Sequence, residues 1–358
     1  MIKIDGNHLE GGGQILRTAL ALSILTQKPF SIENIRKGRS NPGLKAQHLS
    51  CIKALVELTK NKIKVSGNHL GSTKLLFCPA KIIRSKLNLD IGTAGSITLL
   101  LQGLLLPIVL GEKKISMEII GGTDTKWSPT FEYLKQIIIP HLSWYAKIEL
   151  NLLKRGFYPK GQGVIEIKIT PYKLDNFPEI NIYDSYDLVF ISGKSFASKD
   201  LMDAQVAERQ AMAAEQFLKQ SLDFQHVRIN SEYNDSVSTG SGITLWATIH
   251  MKNAMSGIEI NEESSSLPIR LGSDFLGDRN IKAEEVGKKA AEQLLKEINT
   301  SAPVDIHLAD NLIPFLGVVG GSIKVTEISD HTLANIYVTE LFIEKKFKIN
   351  KIEKIIST

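Results

Sequence analysis

The chain has 358 residues, 43% of them hydrophobic, a formal charge of +5 and two cysteines, Cys51 and Cys78. This length suggests about two domains with a sizeable core, and so small a charge permits a nucleic-acid partner only where cations cluster. Two isolated thiols, outside any CxxC pair or His cluster, argue against a disulfide framework or a zinc site and fit a reducing cytoplasm.

The first residues lack the cationic-then-apolar pattern of a signal peptide. Residues 2–5 alternate like a short strand, residues 10–13 read Glu-Gly-Gly-Gly, and 14–25 carry the apolar stripe of a helix. A strand over 30–35, a basic loop over 36–43 and a helix over 44–59 follow. Another glycine-bearing loop, 90–96, leads into the longest apolar run, 97–110. That run is shorter than the about 20 residues of a membrane span. Gln102, Gly103 and Pro107 also interrupt it, so it reads as a core helix of a soluble protein. A strand over 114–120, a Gly-Gly-Thr-Asp turn and a helix over 131–139 repeat the plan without a strict sequence period, which points to a layered domain of repeated units. Near residue 187 the character shifts: strands over 188–192, 227–231 and 243–250 accompany a helix over 203–220. This region, 187–276, reads as a separate compact α/β unit, with the return to the main domain near 277 and a further helix over 281–298. The tail, 345–354, alternates Lys with Ile and Phe like a solvated edge strand.

Five places combine groups with chemistry. At 10–17, three glycines before a helix expose N–H groups at the positive end of the helix dipole, where a phosphate is welcome. Glu10 beside such a phosphate would need a divalent cation between them, and Arg17 lies one turn on. Arg36 and Arg39 share a loop that runs on to Gln47 and His48; two arginine forks suit a phosphodiester or terminal phosphate. Aromatics for base stacking are scarce there, so little base specificity is expected. In 121–133, Trp127, Pro129 and Tyr133 have the shapes to sandwich a flat purine, or to pack a core. His307 and Asp310 form an HxxD pair suited to a metal, an acid–base pair, a nucleotide contact or a helix cap. Finally, Ser329 or Asp330 would cap a helix whose first turn holds His331. There the dipole disfavours imidazolium, and neutral imidazole is the nucleophilic form.

In their order these stretches resemble the RNA 3'-terminal phosphate cyclase family: EGGGQILR from Glu10, IRKGRSNPGLKAQH from Ile35, GTAGSITLLLQ from Gly92, GGTDTKWSPT from Gly121, RGFYPKGQG from Arg155, HLADNLIP from His307 and DHTLANI from Asp330. The resemblance implies an α+β fold: a large domain of repeated units (1–186 and 277–358), each with two helices on a four-stranded sheet, and a smaller inserted α/β domain (187–276). It implies conversion of an RNA 3'-phosphate to a 2',3'-cyclic phosphodiester with ATP and a divalent cation, Mg²⁺ or Mn²⁺. His331 then matches the adenylated nucleophile and Glu10 the metal ligand. Gln102 and the stretch His307, Leu308, Ala309, Asp310, Asn311 match ATP-contacting segments, and Pro129 and Tyr133 fall where the adenine is flanked. Arg17, Arg36, Arg39, Gln47 and His48 match the site of the RNA terminal phosphate. The chain departs from the family at Asn311 (usually Gln), at Ala334-Asn335 (usually Thr-Asn) and at Tyr133 (often Phe). Two rivals remain: a non-catalytic ribosome-assembly branch, which lacks the histidine, and an enolpyruvyl transferase of related architecture. Homo-oligomerisation is left open.

Overall fold

The computed structural model describes residues 1–9, 11–252 and 269–358. Alternation in Ile2–Asp5 (β1) and Phe30–Glu33 (β2) puts Ile4, Phe30 and Ile32 on one buried face, as a half-buried strand requires. Between them Gly13–Thr26 (α1) is buried from Gln14 through Ile24; a helix covered all round lies inside a core. Ala46–Leu58 (α2), Lys64–Ser66 (β3) and Leu75–Cys78 (β4) complete the unit. Its sheet runs β1-β2-β4-β3, with β1 and β2 parallel and the other pairs antiparallel.

The plan then repeats. Lys86–Asp90 (β5), Ile97–Gln102 (α3), Leu105–Val109 (α4) and Ile115–Gly121 (β6) are followed by Phe131–Tyr133 (α5), which runs through a wide π turn into Ile139–Leu142 (α6). Ala146–Lys154 (β7) and Gly163–Pro171 (β8) give a sheet ordered β5-β6-β8-β7. The apolar run therefore forms two helices. They part at Gly103, where a Cβ would lie 2.5 Å from Cys51 Sγ on α2.

Ile180–Ile182 (β9) opens a third unit, and the chain leaves it at once. Tyr186–Ser198 (β10), Val206–Leu222 (α7), Val227–Asn234 (β11), Ser241–Met251 (β12), Ile269–Leu276 (β13) and Ala283–Asn299 (α8) build an insertion with its own sheet, β11-β10-β12-β13. The return expected at 277 comes too early on packing. Val286, Ala290, Ala291 and Leu294 of α8 share one core with Ala211, Ala214 and Leu218 of α7 and with Leu245 and Leu271 of the inserted sheet. The third unit resumes with Ile306–Val319 (α9), Gly321–Lys324 (β14), Asp330–Phe342 (α10), Lys348–Asn350 (β15) and Ile355–Ser357 (β16), in the sheet order β9-β14-β16-β15. In each of the three units the first two strands are parallel and the last two antiparallel to their neighbours. The fold is thus α+β, and a second core spans the three units. The Lys-rich tail lies partly in β15, at a sheet edge as expected. Among the described residues no helix is long and apolar enough to cross a membrane.

Candidate active site

Adjacent parallel strands release their following loops at the same sheet edge. That is why the glycine loop after β1 and the arginine loop after β2 meet. Asn7 Oδ1 accepts the Gly38 N–H at 2.9 Å and so joins them. Gly11 takes φ +56°, a conformation favourable for glycine, and Gly12 is the N-cap of α1.

The distances around this loop define the site. A Cβ on Gly12 would stand 3.5 Å from an Arg39 guanidinium nitrogen and 3.8 Å from His331 Cε1; one on Gly13 would stand 2.2 Å from His48 Nε2 and 3.0 Å from an Arg17 nitrogen. The α1 N-terminus therefore meets two arginines and two histidines. His331 lies in the first turn of α10, whose cap is Ser329, with its hydroxyl accepting the Thr332 N–H at 2.9 Å. Among the described residues no group of three or more His, Cys, Asp or Glu side chains converges. Glu10 lies outside the described residues.

Behind the loop a polar chain ties the three units together. Arg17 Nε donates to Gln102 Oε1 at 3.1 Å, Gln102 Nε2 donates to Asn311 Oδ1 at 3.0 Å, and Asn311 Nδ2 donates to the His307 carbonyl at 2.8 Å. Asp310 Oδ1 accepts from Thr332 Oγ1 at 2.8 Å and from Ser329 Oγ at 3.0 Å. Asn335 Nδ2 donates to the Asp310 carbonyl at 2.6 Å, and Thr18 Oγ1 donates to Asn335 Oδ1 at 2.7 Å. Burial raises the Asp310 carboxyl above the ordinary range, against the Thr332 hydrogen bond and the nearby His331 and His307. Burial brings Arg17 down to about 10, with Cys51 opposing and Arg36 assisting.

A family model described as RNA 3'-terminal phosphate cyclase matches residues 8–349. The chain is 41% identical over 350 residues to a protein named RNA 3'-terminal phosphate cyclase from Pyrococcus furiosus, covering 98% of this chain and 95% of that one. Proteins of the same name from Methanococcoides burtonii (42% identical, 98% and 97% covered) and Methanosarcina acetivorans (39%, 99% and 98%) are similar along the same span. The chain belongs to the RNA 3'-terminal phosphate cyclase family.

In this cyclase several residues expected at the ATP site are packed into the protein. Leu308, Ala309 and Tyr133 are fully buried, so their side chains present no face to a ligand here. The Tyr133 hydroxyl donates to Asp305, and its ring stands edge-on to His307, 6.1 Å away. Asp305 in turn caps α9 through the His307 and Leu308 N–H groups. It is exposed Trp127, at φ +63°, that projects from this loop, while half-buried Pro129 accepts the Thr98 hydroxyl at 2.8 Å. Arg36 closes its own loop, donating to the Asn41 and Gly43 carbonyls at 2.9 and 3.3 Å. Gln47 borders the 92–96 loop, its Cβ 3.7 Å from a Cβ built on Gly95. Gln14, whose Oε1 accepts from Arg17 Nη2 at 3.2 Å, joins Thr18, Ser329 and Asn335 in carrying the network, roles not assigned from the sequence. Ser329 had a sequence signal as a cap, and Gln14 and Asn335 lay within the EGGGQILR and DHTLANI stretches.

Proposed function

We propose that this cyclase converts an RNA 3'-terminal phosphate to a 2',3'-cyclic phosphodiester, using ATP and forming AMP and pyrophosphate. The meeting of His331, Arg39, His48 and Arg17 at one glycine loop supports this best. A His331 ring nitrogen attacks the ATP α-phosphorus, the N–P bond forms and the P–O bond to pyrophosphate breaks. Backbone N–H groups at the α1 N-terminus and the Arg17 and Arg39 forks hold developing phosphate charge. A divalent cation on Glu10 and the nucleotide phosphates would supply further neutralisation.

An oxygen of the RNA 3'-phosphate then attacks the histidine-bound AMP, the P–N bond breaks and imidazole is regenerated. The RNA end now carries a mixed anhydride. The neighbouring 2'-oxygen attacks its RNA phosphorus, AMP leaves and the hydroxyl proton is released. That last attack is intramolecular, so orientation supplies much of the rate. Arg17, Arg36, Arg39, Gln47 and His48 are assigned to the terminal phosphate; Gln102, His307, Asp310 and Asn311 are assigned to ATP, directly or through the chain that ties them. The test is a pair of ends. An RNA 3'-phosphate with ATP is expected to yield the cyclic end, and a DNA 3'-phosphate, lacking the 2'-OH, only the adenylate. A cyclic product from DNA would contradict the scheme.

A further inference from the structure

The stretch RGFYPKGQG has no part in the steps above, yet it borders the site. Its turn closes by the Gly161 N–H donating to the Phe157 carbonyl at 2.8 Å. Gly161, at φ +69°, is pressed on the neighbouring loop: a Cβ there would lie 2.8 Å from Ala94 Cα and 3.1 Å from the Thr93 carbonyl oxygen. Ala94 adjoins Gly95, which borders Gln47. A run of contacts therefore leads from the place assigned to the terminal phosphate, over loop 92–96, to loop 157–162.

On that far loop Tyr158 is 74% exposed. Lys160 is exposed, and its side chain makes no hydrogen bond or ion pair among the described residues. The backbone beneath is fixed. The Thr123 N–H donates to the Gly156 carbonyl at 2.9 Å, and the Lys160 N–H to Ser238 Oγ at 3.2 Å. An exposed aromatic face and an unpaired ammonium on a rigid loop are the two elements that hold single-stranded nucleic acid without reading its sequence.

We propose that loop 157–162 seats the nucleotides just upstream of the RNA 3'-phosphate, with Tyr158 stacking on a base and Lys160 pairing with a backbone phosphate. The inference rests on the cyclase reading, and its ligand class is single-stranded RNA. Because the ring is exposed, Tyr158→Ala removes it without opening a cavity.

The test compares wild type with Tyr158→Ala, Tyr158→Phe and Lys160→Met on a 3'-phosphorylated RNA hexamer. Expected are an about tenfold higher KM with little change in kcat for Tyr158→Ala, and wild-type KM for Tyr158→Phe. Lys160→Met is expected to raise KM and to flatten the salt dependence of binding by about 0.7 in the log–log slope. AMP transfer from ATP to protein should be unchanged in all three. Wild-type KM and salt slope in both Tyr158→Ala and Lys160→Met would overturn the proposal. If wild type neither takes AMP nor cyclises RNA, the cyclase reading falls. The loop is then judged by fluorescence anisotropy of the hexamer: about tenfold weaker binding by Tyr158→Ala upholds the seat, and equal binding overturns it.

Discussion

His48 shows how much one ring can be fixed by its surroundings. Its Nδ1 accepts the Lys45 N–H at 3.0 Å, so the neutral ring carries its proton on Nε2. That N–H abuts Gly13 and has no hydrogen-bond partner among the described residues. Burial, then Arg17, Arg36 and Lys45, bring the ring down to about 3. It is therefore an uncharged donor aimed at the glycine loop at any working pH. Between pH 6.5 and about 3 the unfolded chain binds the extra proton and the folded chain does not. His48 therefore removes stability as pH falls through that window, at up to about 1.4 kcal/mol per pH unit. His48→Gln keeps an N–H donor and cannot protonate; its acid-unfolding midpoint, followed by circular dichroism, should move to lower pH. His48→Leu should slow cyclisation about 100-fold, and His48→Gln should recover part of it. An acid midpoint identical in His48→Gln and wild type would contradict the buried neutral ring.

At the scale of elements, α9 depends on Asp305. Its carboxylate accepts the N–H groups of His307 and Leu308 at 3.0 and 2.9 Å, the Gly272 N–H at 2.9 Å and the Tyr133 hydroxyl. An ordinary cap is worth about 1 kcal/mol. Asp305→Ala strands several buried donors together, so a loss of about 3 kcal/mol or more is expected in denaturant unfolding, with weaker ATP binding because His307 loses its anchor. A loss no larger than an ordinary cap would show that the Tyr133 and Gly272 contacts add nothing. Helix starts of this kind were legible in the sequence where a short polar residue precedes an apolar stripe, as at Ser329, and glycine loops were legible at 10–13. Core packing was one of the two readings open for Tyr133, but its anchor was not legible: its hydroxyl partner lies 172 positions away, beyond any local pattern. The split of the 97–110 run at Gly103 was hidden likewise, because only the approach of Cys51 on α2 makes the glycine necessary.

For the whole molecule, the repeated units set the site and one arginine joins the insertion to them. Arg155 is fully buried, with Asp124 at 2.9 Å and Glu132 at 3.2 Å in its own unit, and Glu232 at 2.9 Å and Asn234 at 3.0 Å in the insertion. Its guanidinium also lies 3.9 Å from the Phe196 ring centroid. Burial works against the charge, but Asp124, Glu132 and Glu232 outweigh it and raise Arg155 further. Arg155→Met would leave Asp124 and Glu132 buried without this cation, costing about 3–5 kcal/mol in denaturant unfolding. It should also quicken proteolysis between the insertion and the main body. The repeat plan could be read from recurring strand–glycine–helix stretches, but the extent of the insertion could not. Helix α8 has a charged outer face and an alanine-rich inner one that would suit either domain, and only its packing on α7 assigns it.

The proposed chemistry turns on covalent AMP at His331. The direct measurement is incubation of the protein with ATP labelled at the α-phosphate, followed by acid and alkali treatment of the protein-bound label. The expected result is an acid-labile, alkali-stable adduct that RNA 3'-phosphate discharges and that His331→Ala fails to form. Labelling of His331→Ala to the wild-type level, or none of the wild type with Mg²⁺ or Mn²⁺, would contradict the account.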